Sequence, residues 1–249
     1  CDFLRLIPAF GLAGIPYSAS LQLPDLFSAT KRLCLGIPLA YYPKRHELQR
    51  RLSAYNVSGN TIQFDNIEVR AQGQGILFDY MLDDHGRPLS DRVNQNVLVL
   101  DIGFNTVDVL CVIEGRPNRE WSGMLEDAGI CQICEDLKTY LQKEFNFNLC
   151  EQVVKDVLQK GHISLYGASM DLSTYIRKTT EAYSDWLSRE INSGWDGFLK
   201  RAHRLIIAGG GAYYVHNLRH KYPEQFVLVP DDSEYSNAWG FLKFALGAS

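Results

Sequence analysis

Apolar residues recur along this chain with two different periods, and the switches between them mark its elements. Residues 1–30 are rich in Pro, Gly and Ser and show little periodicity. Leu33 to Leu39 is a short apolar run and predicts a buried strand, stopped by Pro38 and the Tyr41-Tyr42-Pro43 turn. Lys44 to Tyr55 predicts a charged helix with Leu48 and Leu52 on one face. Thr61 to Val69 alternates apolar and polar positions, which predicts a strand through Ile62, Phe64 and Ile67. A short helix over Gln74 to Leu82 and a polar loop over Asp83 to Pro88 follow.

From Asn96 onward the pattern sharpens. Val97 to Leu100 is continuously apolar, as in a strand covered on both faces. It runs into Asp101-Ile102-Gly103-Phe104-Asn105-Thr106, and Val107 to Ile113 resumes as a second strand. Gly115 to Pro117 turns the chain towards a third strand ending near Trp121, so the three make a meander. Helices are expected over Leu125 to Phe145, Leu149 to Gln159 and Asp171 to about Trp195, with Asp171 as the N-cap of the last. Leu205 to Ala208 is another buried strand. After it come Gly209-Gly210-Gly211, a helix to about Tyr222, a strand from Phe226 to Val229 and a helix from about Asn237. This order of elements predicts an α/β fold with a mixed sheet flanked by helices.

Composition adds limits rather than direction. A chain of 249 residues can bury one large core or two moderate ones, and the loop Asp83 to Pro88 is the candidate boundary between two halves. The net charge of -4 gives no footprint for nucleic acid or an anionic membrane, so a link to DNA would have to run through a partner. No apolar run approaches the ~20 residues of a transmembrane helix, and Cys1 to Tyr17 lacks the apolar core of a signal peptide. Six scattered cysteines in a chain of this size point to reduced, cytosolic thiols. Cys131 and Cys134 would share a helix face as packing residues, because no second pair or nearby His completes a zinc site.

Two stretches carry candidate chemistry. In the first, a buried strand delivers Asp101 to a tight turn where Gly103 lets the backbone approach a ligand. The turn N–H groups and the Thr106 hydroxyl can cradle phosphate oxygens, and one carboxylate suits a Mg2+ that keeps its waters. An ordinary hairpin with an Asp-initiated turn is the alternative. In the second, Gly209, Gly210 and Gly211 between a strand and a helix suggest backbone pressed against a flat or anionic ligand. Close helix–strand packing is the alternative there. Tyr214 excludes a GxGxxG fingerprint, and no Gly-Lys-Ser/Thr follows to make a P-loop.

In this order the two stretches resemble the phosphate-2 and adenosine motifs of the actin, Hsp70 and sugar-kinase superfamily. Three more segments are similar to the plasmid-segregation ParM/StbA-like branch: Leu35-Gly-Ile-Pro-Leu to Leu52, Val69-Arg-Ala-Gln-Gly-Gln-Gly75, and Val229-Pro-Asp-Asp-Ser-Glu-Tyr-Ser-Asn-Ala-Trp-Gly-Phe241. The resemblance runs from about Cys34 to the C-terminus. It implies an actin-like (ribonuclease H-like) ATPase fold, with residues 1–90 the remainder of a first domain and 91–249 a second domain holding both motifs.

Carried over by residue, the resemblance implies that Asp101 holds the Mg2+ water shell while Gly103, Asn105 and Thr106 line the phosphates of ATP or ADP. Gln72 would orient the attacking water; its alternative role is to cap the helix starting near Gln74. Gly209, Gly210 and Gly211 would pass the adenosine, and Gly129 would open the helix beneath the nucleotide. Asp108 matches an aspartate of the phosphate-2 signature, or else is a solvated strand residue. The family's opening loop, Asp-x-Gly-x-x-x-x-Lys, has no match before Gln72, and the first residue is Cys rather than Met. The expectation is a sequence lacking part of the first domain, or else a degenerate member. The implied function is ATP hydrolysis coupled to self-association into filaments for plasmid or DNA segregation in the cytoplasm, with DNA reached through an adaptor protein. A non-hydrolysing structural or adaptor protein and a small-molecule kinase are the alternatives on the same fold.

Overall fold

The computed structural model describes residues 32–57 and 60–247. Residues 1–31, with the stretch from Cys1 to Tyr17, lie outside them. The chain divides into two compact units. Among the described residues, one holds those up to Gln95 with Val112–Asn118 and those from Tyr235, and the other holds Asn96–Cys111 with Arg119–Glu234.

In unit one, β1 (Arg32–Ile37) pairs in parallel with β4 (Asn66–Ala71), Arg32 opposite Asn66 and Ile37 opposite Ala71. A parallel pair needs a long crossover. Here it contains a 3-10 turn (Leu39–Lys44), α1 (Arg45–Leu52) and an antiparallel ribbon of β2 (Ala54–Val57) and β3 (Asn60–Gln63). The helix expected over 44–55 therefore ends at Leu52, and the strand expected over 61–69 breaks at a bend around Asp65. Helix α2 (Gln74–Met81) starts from Gly73, whose φ of 83° is costly for any residue with a Cβ. It packs on α7 (Ser236–Gly247), where Gly75 and Gly240 bring the two backbones together. Lys243 Nζ lies 2.8 Å from Asp79 Oδ1, and the Ser236 hydroxyl donates to the same carboxylate at 2.7 Å.

The five-stranded sheet of unit two has the order β11-β10-β5-β6-β7, with β5 Val97–Ile102, β6 Val107–Ile113, β7 Arg116–Leu125, β10 Arg204–Ala208 and β11 Val227–Leu228. The tip of the β6–β7 hairpin, Val112–Asn118, belongs to unit one. Strand β10 is parallel to both β5 and β11. Alternate residues Leu98, Leu100, Ile102, Val107, Val109, Leu205 and Ile207 face a core built with α3 (Cys131–Phe145), α4 (Glu151–Lys160) and α5 (Ser173–Leu199). A helix expected from Leu125 begins only at Cys131, because β7 runs on through Leu125. Between α4 and α5 lies an unexpected hairpin, β8 (His162–Leu165) and β9 (Ala168–Asp171), closed by Tyr166 and Gly167 at φ 50° and 83°. Asp171 ends β9, and its Oδ1 accepts the Ser173 N–H at 2.9 Å, so it caps α5 from outside the helix. That hydrogen bonding from Ser173 holds its carboxyl below the usual aspartate range.

Candidate functional site

Parallel pairing aligns β5 with β10 from Arg204 opposite Val97 to Ala208 opposite Asp101. Both strands therefore finish at the same edge of the sheet, where open α/β sheets bind ligands. The Asp101 turn leaves one strand there, and the glycine turn leaves the other.

The Gly103 N–H donates to Thr106 O at 2.9 Å and closes a two-residue turn. In the hairpin so closed, Ile102 stands opposite Val107 and Asp101 opposite Asp108. Asp101 is 9% exposed and Asp108 5%, so Asp108 is not a solvated strand residue. The turn uses its carbonyls on the start of α3. Gly103 O accepts from Ile130 N–H at 3.2 Å, Phe104 O from Cys131 N–H at 2.8 Å and Asn105 O from Gly129 N–H at 3.1 Å. These bonds satisfy donors that a helix start leaves orphaned. A Cβ on Gly129 would collide with Phe104 O and Gly103 O, so the residue must be glycine for this docking. Beneath it, the Tyr183 hydroxyl of α5 donates to Ala128 O at 2.7 Å, and burial pushes that phenol above its usual range. Lys155 of α4 stands 3.5 Å from the centroid of the Phe104 ring and bonds Glu151 at 2.5 Å.

The three glycines differ. Gly209 has φ 85°, and a Cβ on it would meet Asp101 Oδ1 and Ile102 O at 2.5 Å. Gly211 donates to Ile102 O at 2.8 Å and has Ile102 where its Cβ would be. These two are demanded by packing of the turn against the end of β5. Gly210 is exposed, and the nearest heavy atom to a Cβ on it is Glu234 Cβ at 4.0 Å. Only Gly210 looks onto open space. The chain then runs through a 3-10 turn (Ala212–Tyr214) into the short α6 (His216–Arg219), not the continuous helix expected to Tyr222.

Gln72 lies in unit one, half-buried between β4 and α2, and its N–H donates to Ile37 O at 2.8 Å. It is not the cap of α2: the N-cap is Gly73, whose N–H donates to Asn237 Oδ1 at 3.0 Å, and Gln74 Oε1 reaches back to the Ala71 N–H at 3.3 Å. Asp101, Gly103, Asn105, Thr106, Asp108, Gly129 and Gly209 to Gly211 all belong to unit two. Cys134 packs in the core of unit two, where burial raises its thiol to about 11, while Cys131 is half-buried beside the Asp101 turn. Sequence reasoning singled out the segment after β11 only as part of the resemblance and gave it no place in the site. Gly209 N–H donates to Ser233 O there at 2.9 Å, which brings Glu234 beside Gly210.

Residues 99–220 match the family model described as archaeal actin homologue MreB-like, C-terminal. Among solved structures, a non-polymerisable quadruple mutant of pCBH ParM superposes with a TM-score of 0.72 at 21% identity, over 86% of this chain and 67% of that one. An archaeal actin homologue in complex with ADP gives 0.71 at 18%, over 91% and 78%. A 15-stranded ParM filament from Clostridium botulinum gives 0.67 at 22%, over 85% and 65%. No curated protein matches the chain. Among the described residues no helix is long and apolar enough to cross a membrane. The chain therefore has the actin-like fold, and its residues 99–220 are similar to the C-terminal domain of archaeal MreB-like actin homologues.

Proposed function

We propose that this chain is an actin-like ATPase that binds ATP or ADP with Mg2+ and self-associates into filaments. In this reading the filaments move or segregate DNA in the cytoplasm through an adaptor protein, and residues 1–90 and 91–249 contribute to a first and a second actin-like domain. The observation that carries it is the meeting of two turns at one sheet edge: Ala208 opposite Asp101, with the glycine turn seated on the end of β5.

The residues fit the ligand. Gly210 offers open space at the edge where the two turns meet, which suits the flat face of a nucleoside. Asp101 and Asp108 place two buried carboxyl groups on opposed strands, and a divalent cation near Asp101 would be held there by their negative charge. Bound Mg2+ would supply charge neutralisation at the phosphates. Asp101 would hold its water shell. Because the Gly103 N–H closes the turn, the phosphate donors would be the N–H groups of Phe104, Asn105 and Thr106, with the Thr106 hydroxyl. Gly129 would keep α3 close under that turn, and Gln72 would orient the attacking water through its amide. The ADP bound by the archaeal homologue and the filament formed by the clostridial ParM support the same reading.

Calorimetry of ADP binding with and without Mg2+ tests it, using Asp101→Asn, which keeps the shape and removes the charge. The wild type should bind more tightly with Mg2+, and the variant should lose that gain while still binding metal-free ADP. An equal Mg2+ effect in both proteins would remove Asp101 from the metal site.

A further inference from the structure

Strands β5, β10 and β11 are parallel neighbours, so the segments that follow all three leave the same edge of the sheet. The first two segments are the Asp101 turn and the glycine turn. The third, Val229 to Glu234, is anchored where Ser233, 1% exposed, accepts the Gly209 N–H. Its next residue, Glu234, is exposed and is the nearest group to the open side of Gly210.

Glu234 is not a freely solvated acid. Its carboxylate accepts the hydroxyl of Tyr213, a residue 43% exposed that follows the glycine turn, and the same hydroxyl lies 3.5 Å from Asp231 O. Hydrogen bonding to Glu234 raises the Tyr213 phenol above its ordinary range, so it remains a donor at neutral pH. An accessible aromatic ring thus holds the carboxylate of the residue that stands beside the only one of the three glycines that looks onto open space.

We infer that Tyr213 and Glu234 form the wall that reads the nucleobase, the ring as an apolar platform and the carboxylate as an acceptor for an exocyclic amino group. The inference rests on Gly210 facing a nucleotide. An ionised carboxylate can only accept hydrogen bonds. It complements the 6-amino group of adenine and opposes the 6-carbonyl of hypoxanthine. Glutamine at the same position carries an NH2 that can donate to that carbonyl, so Glu234→Gln should relax or reverse the preference without changing side-chain volume. Tyr213→Phe keeps the platform and frees the carboxylate.

The test is calorimetric titration of the wild type, Glu234→Gln and Tyr213→Phe with ADP and with inosine diphosphate, where hydrolysis does not intervene. The wild type should prefer ADP by about tenfold or more, the scale of one hydrogen bond to a charged group. Glu234→Gln should bring the ratio to about one or below it, and Tyr213→Phe should leave an intermediate ratio. A ratio in Glu234→Gln equal to that of the wild type overturns this inference alone. Failure of the wild type to bind either diphosphate overturns the nucleotide reading beneath it as well. A ratio of affinities is insensitive to a shared loss of stability, so a merely structural role for Glu234 would leave it unmoved.

Discussion

Replacing Gly209 and Gly210 one at a time separates packing from ligand contact within three residues. At Gly209 an alanine must hold φ 85° and place its Cβ 2.5 Å from both Asp101 Oδ1 and Ile102 O. The left-handed conformation costs about 1–2 kcal/mol and forced overpacking about 1–3 kcal/mol, so Gly209→Ala should destabilise by roughly 2–5 kcal/mol. With a urea slope of about 2–3 kcal/mol/M, the midpoint should fall by roughly 1–2 M. At Gly210 the backbone is not in the left-handed region, and the nearest atom to a new Cβ is 4.0 Å away. Gly210→Val should therefore change stability by no more than about 0.5 kcal/mol. It would instead place a branched side chain in the space assigned to the nucleoside, raising the Kd for ADP and ATP alike by about tenfold or more.

Urea unfolding and calorimetry on the same preparations read both effects. The reasoning fails if Gly210→Val unfolds as easily as Gly209→Ala while binding ADP as the wild type does. That outcome would make the whole glycine run a packing device.

Three further outcomes follow from other parts of the structure. Gln72→Ala should lower kcat for ATP roughly tenfold to a thousandfold with little change in nucleotide affinity, since orienting water matters only in the transition state. Single-turnover hydrolysis beside Gln74→Ala checks it, and slowing confined to the latter would name the wrong amide. Tyr183→Phe removes the 2.7 Å bond to Ala128 O and leaves a buried carbonyl short of a donor, so unfolding free energy should drop by about 1–3 kcal/mol; an unchanged urea midpoint would contradict this. Burial raises the Cys111 thiol to about 12 and the Cys134 thiol to about 11, so iodoacetamide at pH 8 should modify exposed Cys150 well before either. Peptide mapping over time gives the order, and early labelling of Cys111 would contradict the fold of the β6–β7 hairpin.

The site was legible where apolar runs end in punctuation. Val97 to Leu100 followed by Asp-Ile-Gly, and Leu205 to Ala208 followed by three glycines, each mark a buried strand that stops abruptly at a turn. The parallel register that joins those turns is a long-range fact, and one-dimensional spacing does not encode it. Glu234 was hidden for a stronger reason: it follows a strand of only two residues, and beside Asp231 and Asp232 it reads as one more acid of a polar loop. The β8–β9 hairpin was missed because Ile163 is its only fully buried residue, too little for an alternating pattern to emerge. Helix α1 was overextended because Ser53 to Tyr55 carries no strong breaker, and pairing with β3 outweighs a weak helical preference there. The distinction among the three glycines had to wait for coordinates, since only the surroundings show that two are locked and one is open.

Photolabelling with 8-azido-ATP in the presence of Mg2+, followed by peptide mapping, tests the central claim most directly. The reagent reacts with whatever lies against the base, so the label should fall between Gly209 and Glu234, with Tyr213 the first candidate, and excess ATP should abolish it. Label that ATP competes away but that maps wholly outside this segment would contradict the placement of the nucleotide at the carboxyl ends of β5, β10 and β11.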